Sequence, residues 1–344
     1  LMHPEAIRDF LHHIGAAWTP RPDYVLLLGD GTIDFRDHLG LGWHNFLPAF
    51  VADVDLHAGP VPAETASDRR LDPGTTLPVF QIGRLPVDSV EQTKAVIAKI
   101  VGYETAPSPG FWNRDTLIVS DNSDYAGAFT EYADELYQRV SVPLSAERLY
   151  LASSPSQTYE YSNQDPNELE AARAAIRRRF SDGQLLVTYM GHSSHSQWAH
   201  EVLLHRDEVP SLKNGDPPYG GRLPVVLSMT CYTGAFQFPS YAPLDERLIL
   251  QPGAGAVATW GATGSAIAAG HRYLAQGFLD AVQDPGPVTL GAAVYAGLLS
   301  LHSQSPANSE LIDTYALLGD PAMRLNRFEG TIKNVYLPLA QEGW

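Results

Sequence analysis

Two side chains suited to nucleophilic chemistry stand at matching places in this chain. Gly191-His192 follows the apolar run 185–189, and Thr230-Cys231-Tyr232-Thr233-Gly234 follows the next apolar run, 223–227. Cys231 is the single cysteine among 344 residues. If the two runs are neighbouring strands of one parallel sheet, their ends lie about 5 Å apart. An imidazole and a thiol brought together there can exchange a proton, and the thiolate can attack a carbonyl carbon. The backbone N–H groups of Ser193 and Cys231 then lie where an oxyanion would form. Beside this stands the bland reading of a small buried thiol and an ordinary loop histidine, and the residue pattern by itself leaves both open.

Other chemistries have thinner support. His192, His195, His200 and His205 are clustered, as zinc ligands often are. Their spacing fits no standard zinc pattern, and no Glu follows His192 as in His-Glu-x-x-His. There is no Gly-x-Ser-x-Gly elbow for a serine nucleophile. Gly261-Ala-Thr-Gly264-Ser265 reads as a tight turn after a strand, with ligand approach as the alternative. No Walker loop and no Gly-x-Gly-x-x-Gly pattern supports a nucleotide. Asp30, Asp34 and Asp37 follow an apolar run, where they can either hold a hard cation such as Ca²⁺ or make turns and caps.

The elements that must position these residues alternate. Apolar runs at 24–28, 116–119, 185–189, 223–227 and 256–259 read as strands buried on both faces, with a shorter candidate at 79–82. Between them lie helical patterns. One covers residues 4–17. A capping box, Asp88 with Glu91, opens another that turns Val90, Ile97, Ile100 and Val101 to one face. Asp165 with Pro166 opens a third, whose face is Leu169, Ala172, Ile176 and Phe180 and whose end is Gly183. Further helices are expected at 129–140, 245–250, 271–282 and 289–301. This alternation predicts an α/β fold: a largely parallel sheet with helices on both faces. Residues 40–76 and 152–163 read as irregular, and 107–114 as a junction.

Length and charge narrow the function. The length suits two domains or one large α/β unit with insertions. A net charge of −16 argues against binding nucleic acid or an anionic membrane surface, and no apolar stretch is long enough for a membrane span. One cysteine excludes an internal disulfide framework. Residues 1–9 lack a basic region followed by an apolar run, so no signal peptide is expected in this chain.

Five stretches taken together resemble the gingipain-like cysteine peptidases, family C25. Gly191-His192 with Trp198 resembles that family's histidine motif, and Cys231-x-x-Gly234-x-Phe236 its nucleophile motif. Leu26-Leu-Leu-Gly29-Asp30-Gly31 with Asp34, Ile82-Gly83-Arg84-Leu85-Pro86 and Leu317-Leu-Gly319-Asp320-Pro321 are similar to further family segments, in the family's order. The resemblance implies a caspase-like, Rossmann-like three-layer sandwich with a smaller N-terminal α/β subdomain. The expected division is 1–108, a catalytic subdomain at 109–328 and a tail at 329–344.

It also implies a cysteine endopeptidase that is secreted or displayed at the cell surface and cut from a longer precursor. Its substrate is a polypeptide; no cofactor is required, though a structural calcium at Asp30 and Asp34 is allowed. Cys231 takes the nucleophile's place and His192 the proton carrier's, with Asp121 or Asp124 as the orienting acid. Ser193 stands where the family often has glycine. Trp198, Tyr232, Trp260 and Thr263 are expected to wall the substrate cleft, with a core role for Trp198 as the alternative. The family's arginine-selecting carboxylate has no counterpart near Ala128 and Phe129, so arginine preference is not carried over. Two rival readings are a transpeptidase of the same fold and a non-catalytic binding module.

Overall fold

The computed structural model describes residues 3–54, 63–152, 159–215, 221–238 and 241–328. Its centre is a nine-stranded sheet. In chain order the strands are β1 (Tyr24–Leu28), β4 (Gln81–Leu85), β5 (Asp115–Ser120), β6 (Ser145–Ala152), β7 (Tyr161–Ser162), β8 (Leu186–Met190), β11 (Val225–Met229), β12 (Ala258–Ala262) and β13 (Tyr315–Leu318). Their spatial order is β1-β4-β13-β12-β11-β8-β5-β6-β7. All neighbours are parallel except β12 and β13. The block β1-β4-β13 therefore runs against the other six strands.

Two small antiparallel pairs lie outside this sheet. They are β2 (Val51–Val54) with β3 (Ala63–Ala66), and β9 (Gln197–Trp198) with β10 (Leu204–His205).

Alternation along the strands sorts side chains into two cores, as a period of two requires. Leu117, Val119, Val187, Tyr189 and Val226 face α4 (Pro166–Asp182) and α5 (Leu244–Leu250). Ile118, Leu186, Met190, Val225, Leu227 and Met229 face the other way. There α3 (Phe129–Arg139), α6 (Ala268–Gln283) and α7 (Leu290–Gln304) pack. The result is the expected three-layer α/β sandwich. A smaller core joins Leu11 and Ile14 of α1 (Pro4–Ala17) to Leu27, Leu71 and Phe80.

Several readings need correction. Strand β1 is not buried on both faces: it is the sheet's edge strand, and Tyr24, Leu26 and Leu28 are exposed. Helix α2 (Val90–Thr105) is capped by Ser89, whose Oγ accepts from the Gln92 N–H, rather than by Asp88. It buries Val96, Lys99, Ile100 and Tyr103 and leaves Val90, Ile97 and Val101 exposed. The stretch read as irregular at 40–76 holds β2 and β3, with residues 55–62 outside the described part; 152–163 holds β7, with 153–158 outside it. Helix α4 keeps its Asp165 cap, its Pro166 start and its Gly183 end at φ 93°.

Two buried cations tie the loops to the sheet. Arg84 is fully buried. It makes a bidentate pair with Asp68 (2.7 and 2.8 Å), donates to the carbonyls of Gly29 (2.8 Å) and Leu47 (3.0 Å), and lies 4.5 Å from the centre of the Phe236 ring. It thus joins the first loops to the segment that follows Cys231. Lys99 Nζ lies in a cage of carbonyl oxygens from Leu248, Ile249, Gln251, Ala254 and Ala256, at 2.6–3.3 Å. Those carbonyls belong to the frayed end of α5 and the turn into β12, where helical partners run out.

Lys99→Met should take the shared donor from these carbonyls, of which Leu248 keeps the Ala256 N–H at 3.0 Å, and cost about 3 kcal/mol of stability. Urea unfolding of that variant checks it, with Lys94→Met, an exposed change on the same helix, as the reference. A loss below about 1 kcal/mol would show that the cage carries no weight.

Candidate active site

Register places the site. Met190 of β8 pairs with Met229 of β11, and Ser120 of β5 pairs with Met190. His192 and Cys231 each follow their paired methionine by two residues, so they leave the same rim side by side. Asp124 leaves that rim from the next strand over.

Gly191 has to be glycine, because a Cβ there would lie 2.3 Å from the Asp121 Cβ and 2.4 Å from the Tyr189 hydroxyl. Gly234 turns the chain under β12, where a Cβ would meet the Gly261 carbonyl at 2.9 Å.

The two acids left open by the sequence have different positions. Asp124 Oδ2 lies 3.0 Å from His192 Nε2, and Asp124 Oδ1 accepts from the Ala126 N–H at 2.8 Å. Partial burial works to raise its pKa, but the Ala126 N–H, the His192 ring and the Gly127 contact bring it below the ordinary value. The edge of Phe129 packs on the imidazole with ring centres 5.0 Å apart. His192 Nδ1 makes no hydrogen bond among the described residues, so it is the nitrogen left for the thiol. Asp121 is buried and does not touch the ring. Its carboxylate accepts from the backbone N–H groups of His192 (3.1 Å) and Asn122 (2.9 Å) and so fixes the turn. Burial raises its pKa to about 6.

The nucleophile segment rests on a buried carboxylate. Asp245 of α5 accepts from Ser228 Oγ (2.7 Å) and Thr233 Oγ1 (2.9 Å), on either side of Cys231. Thr230 Oγ1 donates to the Gly191 carbonyl at 2.6 Å and links the two strand ends. Cys231 is partly exposed. Its Sγ accepts from the Ala266 N–H (3.4 Å) and points its proton at the Ala266 carbonyl (3.5 Å). Ala266 lies two residues before α6, so the sulfur sits near that helix's positive end. Burial pushes the thiol above its ordinary pKa, while the Ala266 N–H and the Ser265 hydroxyl pull it down.

Ser193 is the departure from expectation. Its N–H makes no hydrogen bond among the described residues and is available to an oxyanion. The Cys231 N–H is not: it donates to Ser193 Oγ at 3.1 Å.

Three of the expected cleft residues are corrected. Trp198 is fully buried, stacked on Tyr189 with ring centres 4.6 Å apart, and Tyr189 in turn donates to the His192 carbonyl at 2.6 Å. It is a core anchor beneath the histidine and does not wall the cleft. Trp260 is sealed between Phe278 and Tyr315, and Thr263 is buried against Thr65, Ala66 and Thr314. Neither reaches a substrate. Tyr232 does remain partly exposed beside the nucleophile, with φ 56°.

The residues on which a calcium was expected are both engaged with backbone N–H groups. Asp34 spends its oxygens on the N–H groups of His38 and Leu39, both at 2.8 Å, and Asp30 Oδ1 accepts from the Gly31 N–H at 2.8 Å. Both carboxylates cap turns. Among the described residues no group of three or more His, Cys, Asp or Glu is arranged to hold a metal. His205 caps a turn and His195 packs among Tyr232, Phe238 and Tyr241. Ala266 and Thr230 were not anticipated from the sequence. Ala266 acts only through its backbone, which leaves no residue-type signal.

This is the architecture of an α/β enzyme that presents its chemistry at the carboxyl rim of a parallel sheet. The chain belongs to peptidase family C25, whose model matches residues 2–326, and as a member it is a cysteine-type endopeptidase, a hydrolase. Solved structures agree in fold. Gingipain R (RgpB), an Arg-specific cysteine proteinase, superposes with a TM-score of 0.72 at 19% identity, over 95% of this chain and 69% of that one. The complex of the pro- and mature domains of RgpB from Porphyromonas gingivalis gives 0.70 at 19% identity, over 93% and 69%. A further protease gives 0.67 at 15% identity, over 95% and 70%. No curated protein sequence matches the chain. Among the described residues no helix is long and apolar enough to cross a membrane.

The two acids should separate experimentally. Asp124→Ala is expected to lower kcat/KM for peptide cleavage about 10- to 100-fold by freeing the imidazole, with little change in melting temperature. Asp121 should read out in stability. A carboxyl whose folded pKa is raised stabilises the fold below the unfolded value of 3.8 and loses that contribution as pH climbs through about 6. The stability difference between wild type and Asp121→Asn should therefore shrink across that window, and a difference independent of pH would contradict the assignment.

Proposed function

We propose that the chain cleaves polypeptides through a Cys231–His192 dyad with Asp124 behind the imidazole. The observation that carries this reading is the β8–β11 register, which sets a thiol and an imidazole two residues beyond one strand pair. The thiol proton passes from Sγ to His192 Nδ1 as Sγ attacks the peptide carbonyl carbon. The carbonyl oxygen becomes the oxyanion and is met by the Ser193 N–H. The C–N bond then breaks, and His192 returns its proton to the leaving amine. Water next attacks the thioester and gives a proton to His192, and that proton returns to Sγ as the C–S bond breaks. Asp124 compensates the imidazolium in both halves. Because burial holds the thiol up, His192 serves as a general base when substrate arrives. The kinship with family C25 further supports secretion or cell-surface display.

A peptide library tests the proposal. Cys231→Ala should abolish cleavage, and His192→Ala should reduce it by at least about 100-fold. Iodoacetamide should label Cys231 of the native chain near neutral pH, more slowly in His192→Ala. Labelling no faster than that of a buried thiol, with no peptide cleaved, would leave a binding module. Products joined to an added amine in place of the hydrolytic product would leave a transpeptidase.

A further inference from the structure

The sequence offers two N–H groups to an oxyanion, those of Ser193 and Cys231, and the proposed mechanism uses the first. One of them already has an acceptor that belongs to the protein. Ser193 Oγ takes the Cys231 N–H at 3.1 Å, hydrogen-bonds the Cys231 carbonyl, and lies 2.7 Å from Thr230 Oγ1. Thr230 Oγ1 is itself tied to the Gly191 carbonyl at 2.6 Å and is fully buried. The hydroxyl is therefore no free rotor. It is held from several sides, on the residue that supplies the hole's other donor.

A backbone N–H on a half-buried loop must find an acceptor or lose the energy of a hydrogen bond. Where glycine follows the histidine, only water or substrate can fill that role. Here the chain supplies its own oxygen.

We infer that the Ser193 hydroxyl is a positioning residue that caps the oxyanion hole in the absence of substrate, so that a substrate carbonyl gains the Cys231 N–H only by displacing it. This rests on the peptidase reading and adds to it a competitor built into the site. Displacement draws on binding energy from the rest of the substrate, so poorly bound peptides are turned over disproportionately slowly. Substrates held firmly along the cleft overcome the cap, and short ones do not.

The test separates reactions that form an oxyanion from one that does not. A peptidyl aldehyde built on a sequence the wild type cleaves adds Sγ to its carbonyl carbon and places the oxygen in the hole. Iodoacetamide loses iodide from a saturated carbon and never uses the hole. Ser193→Ala keeps the Cβ and removes the cap. It should tighten aldehyde inhibition about fivefold, the equilibrium cost of giving up one neutral hydrogen bond. It should raise kcat by a similar factor with KM nearly constant, and leave the iodoacetamide rate within twofold. Ser193→Thr, which retains a hydroxyl, should keep aldehyde affinity near that of the wild type.

Melting temperatures keep a folding defect visible, and Ser193→Gly provides a second uncapped variant should Ala be poorly folded. Aldehyde affinity unchanged or weakened in well-folded Ala and Gly variants would overturn the inference. A wild-type chain that cleaves no peptide would remove the peptidase reading and this one with it, a failure seen before any variant is made.

Discussion

Three parallel strands in one register hold this site together. Ser120, Met190 and Met229 lie abreast on β5, β8 and β11, and the next few residues of each strand carry Asp124, His192 and Cys231. Side chains along a strand alternate faces with a period of two, so a slip of one residue between β8 and β11 would turn the side chains of one of them to the wrong cores. Were β8 the strand to slip, Leu186 and Met190 would face α4 and α5, while Val187 and Tyr189 faced α6 and α7. The apolar pattern forbids that, and in forbidding it brings the strand ends that lead to Cys231 and His192 to one rim. The site's geometry is inherited from core packing.

What the strands aim, buried polar groups then fix. Asp121 holds the turn before His192 by two N–H groups, and Asp245 holds both flanks of Cys231 by two hydroxyls. Each acid is buried and raised to about 6 by that burial, a cost accepted because its hydrogen bonds leave one loop conformation. Arg84 extends the same logic outward, since its guanidinium ties the first loops to Phe236 beyond the nucleophile. The edge block β1-β4-β13 contributes no reacting group. It supports the loop that does.

Where the sequence was informative, a local rule and the tertiary setting agreed. Asp165, Pro166 and Gly183 mark the ends of α4 by capping chemistry that needs no partner. The runs that became β5, β8, β11 and β12 are apolar because helices cover both their faces. The failures have equally physical causes. Val90, Ile97 and Val101 form an apolar stripe, yet α2 turns it to solvent and buries Lys99, because the carbonyl cage rewards a cation that periodicity counts as polar. The run 24–28 looks like a central strand, but nothing in its composition says that the sheet ends there. Strand β6 escaped notice because Glu147 and Arg148 interrupt it, and both pair with charged neighbours. Trp198 and Trp260 are the residue type expected of a cleft wall, and only packing shows that they are core.

The protonation state of the resting site follows from the same packing. A preformed thiolate–imidazolium pair needs the two groups in contact and the thiolate well solvated or strongly paired. Here Sγ makes its hydrogen bonds to the Ala266 backbone, and burial disfavours the anion. Asp124 Oδ2 holds the imidazole by Nε2 at 3.0 Å. In the proposed mechanism the imidazole is thus oriented before substrate arrives, and burial of the sulfur opposes an isolated thiolate. That cost is relieved when sulfur bonds to carbon and the negative charge moves to the carbonyl oxygen. In the proposed mechanism proton transfer, bond formation and capture of the oxyanion are therefore coupled, and the donors that meet that oxygen contribute to nucleophile activation alongside His192. On that mechanism, an acceptor already lodged on the Cys231 N–H would act on the whole sequence of events, which gives the residue after the histidine a weight that its position outside the dyad conceals.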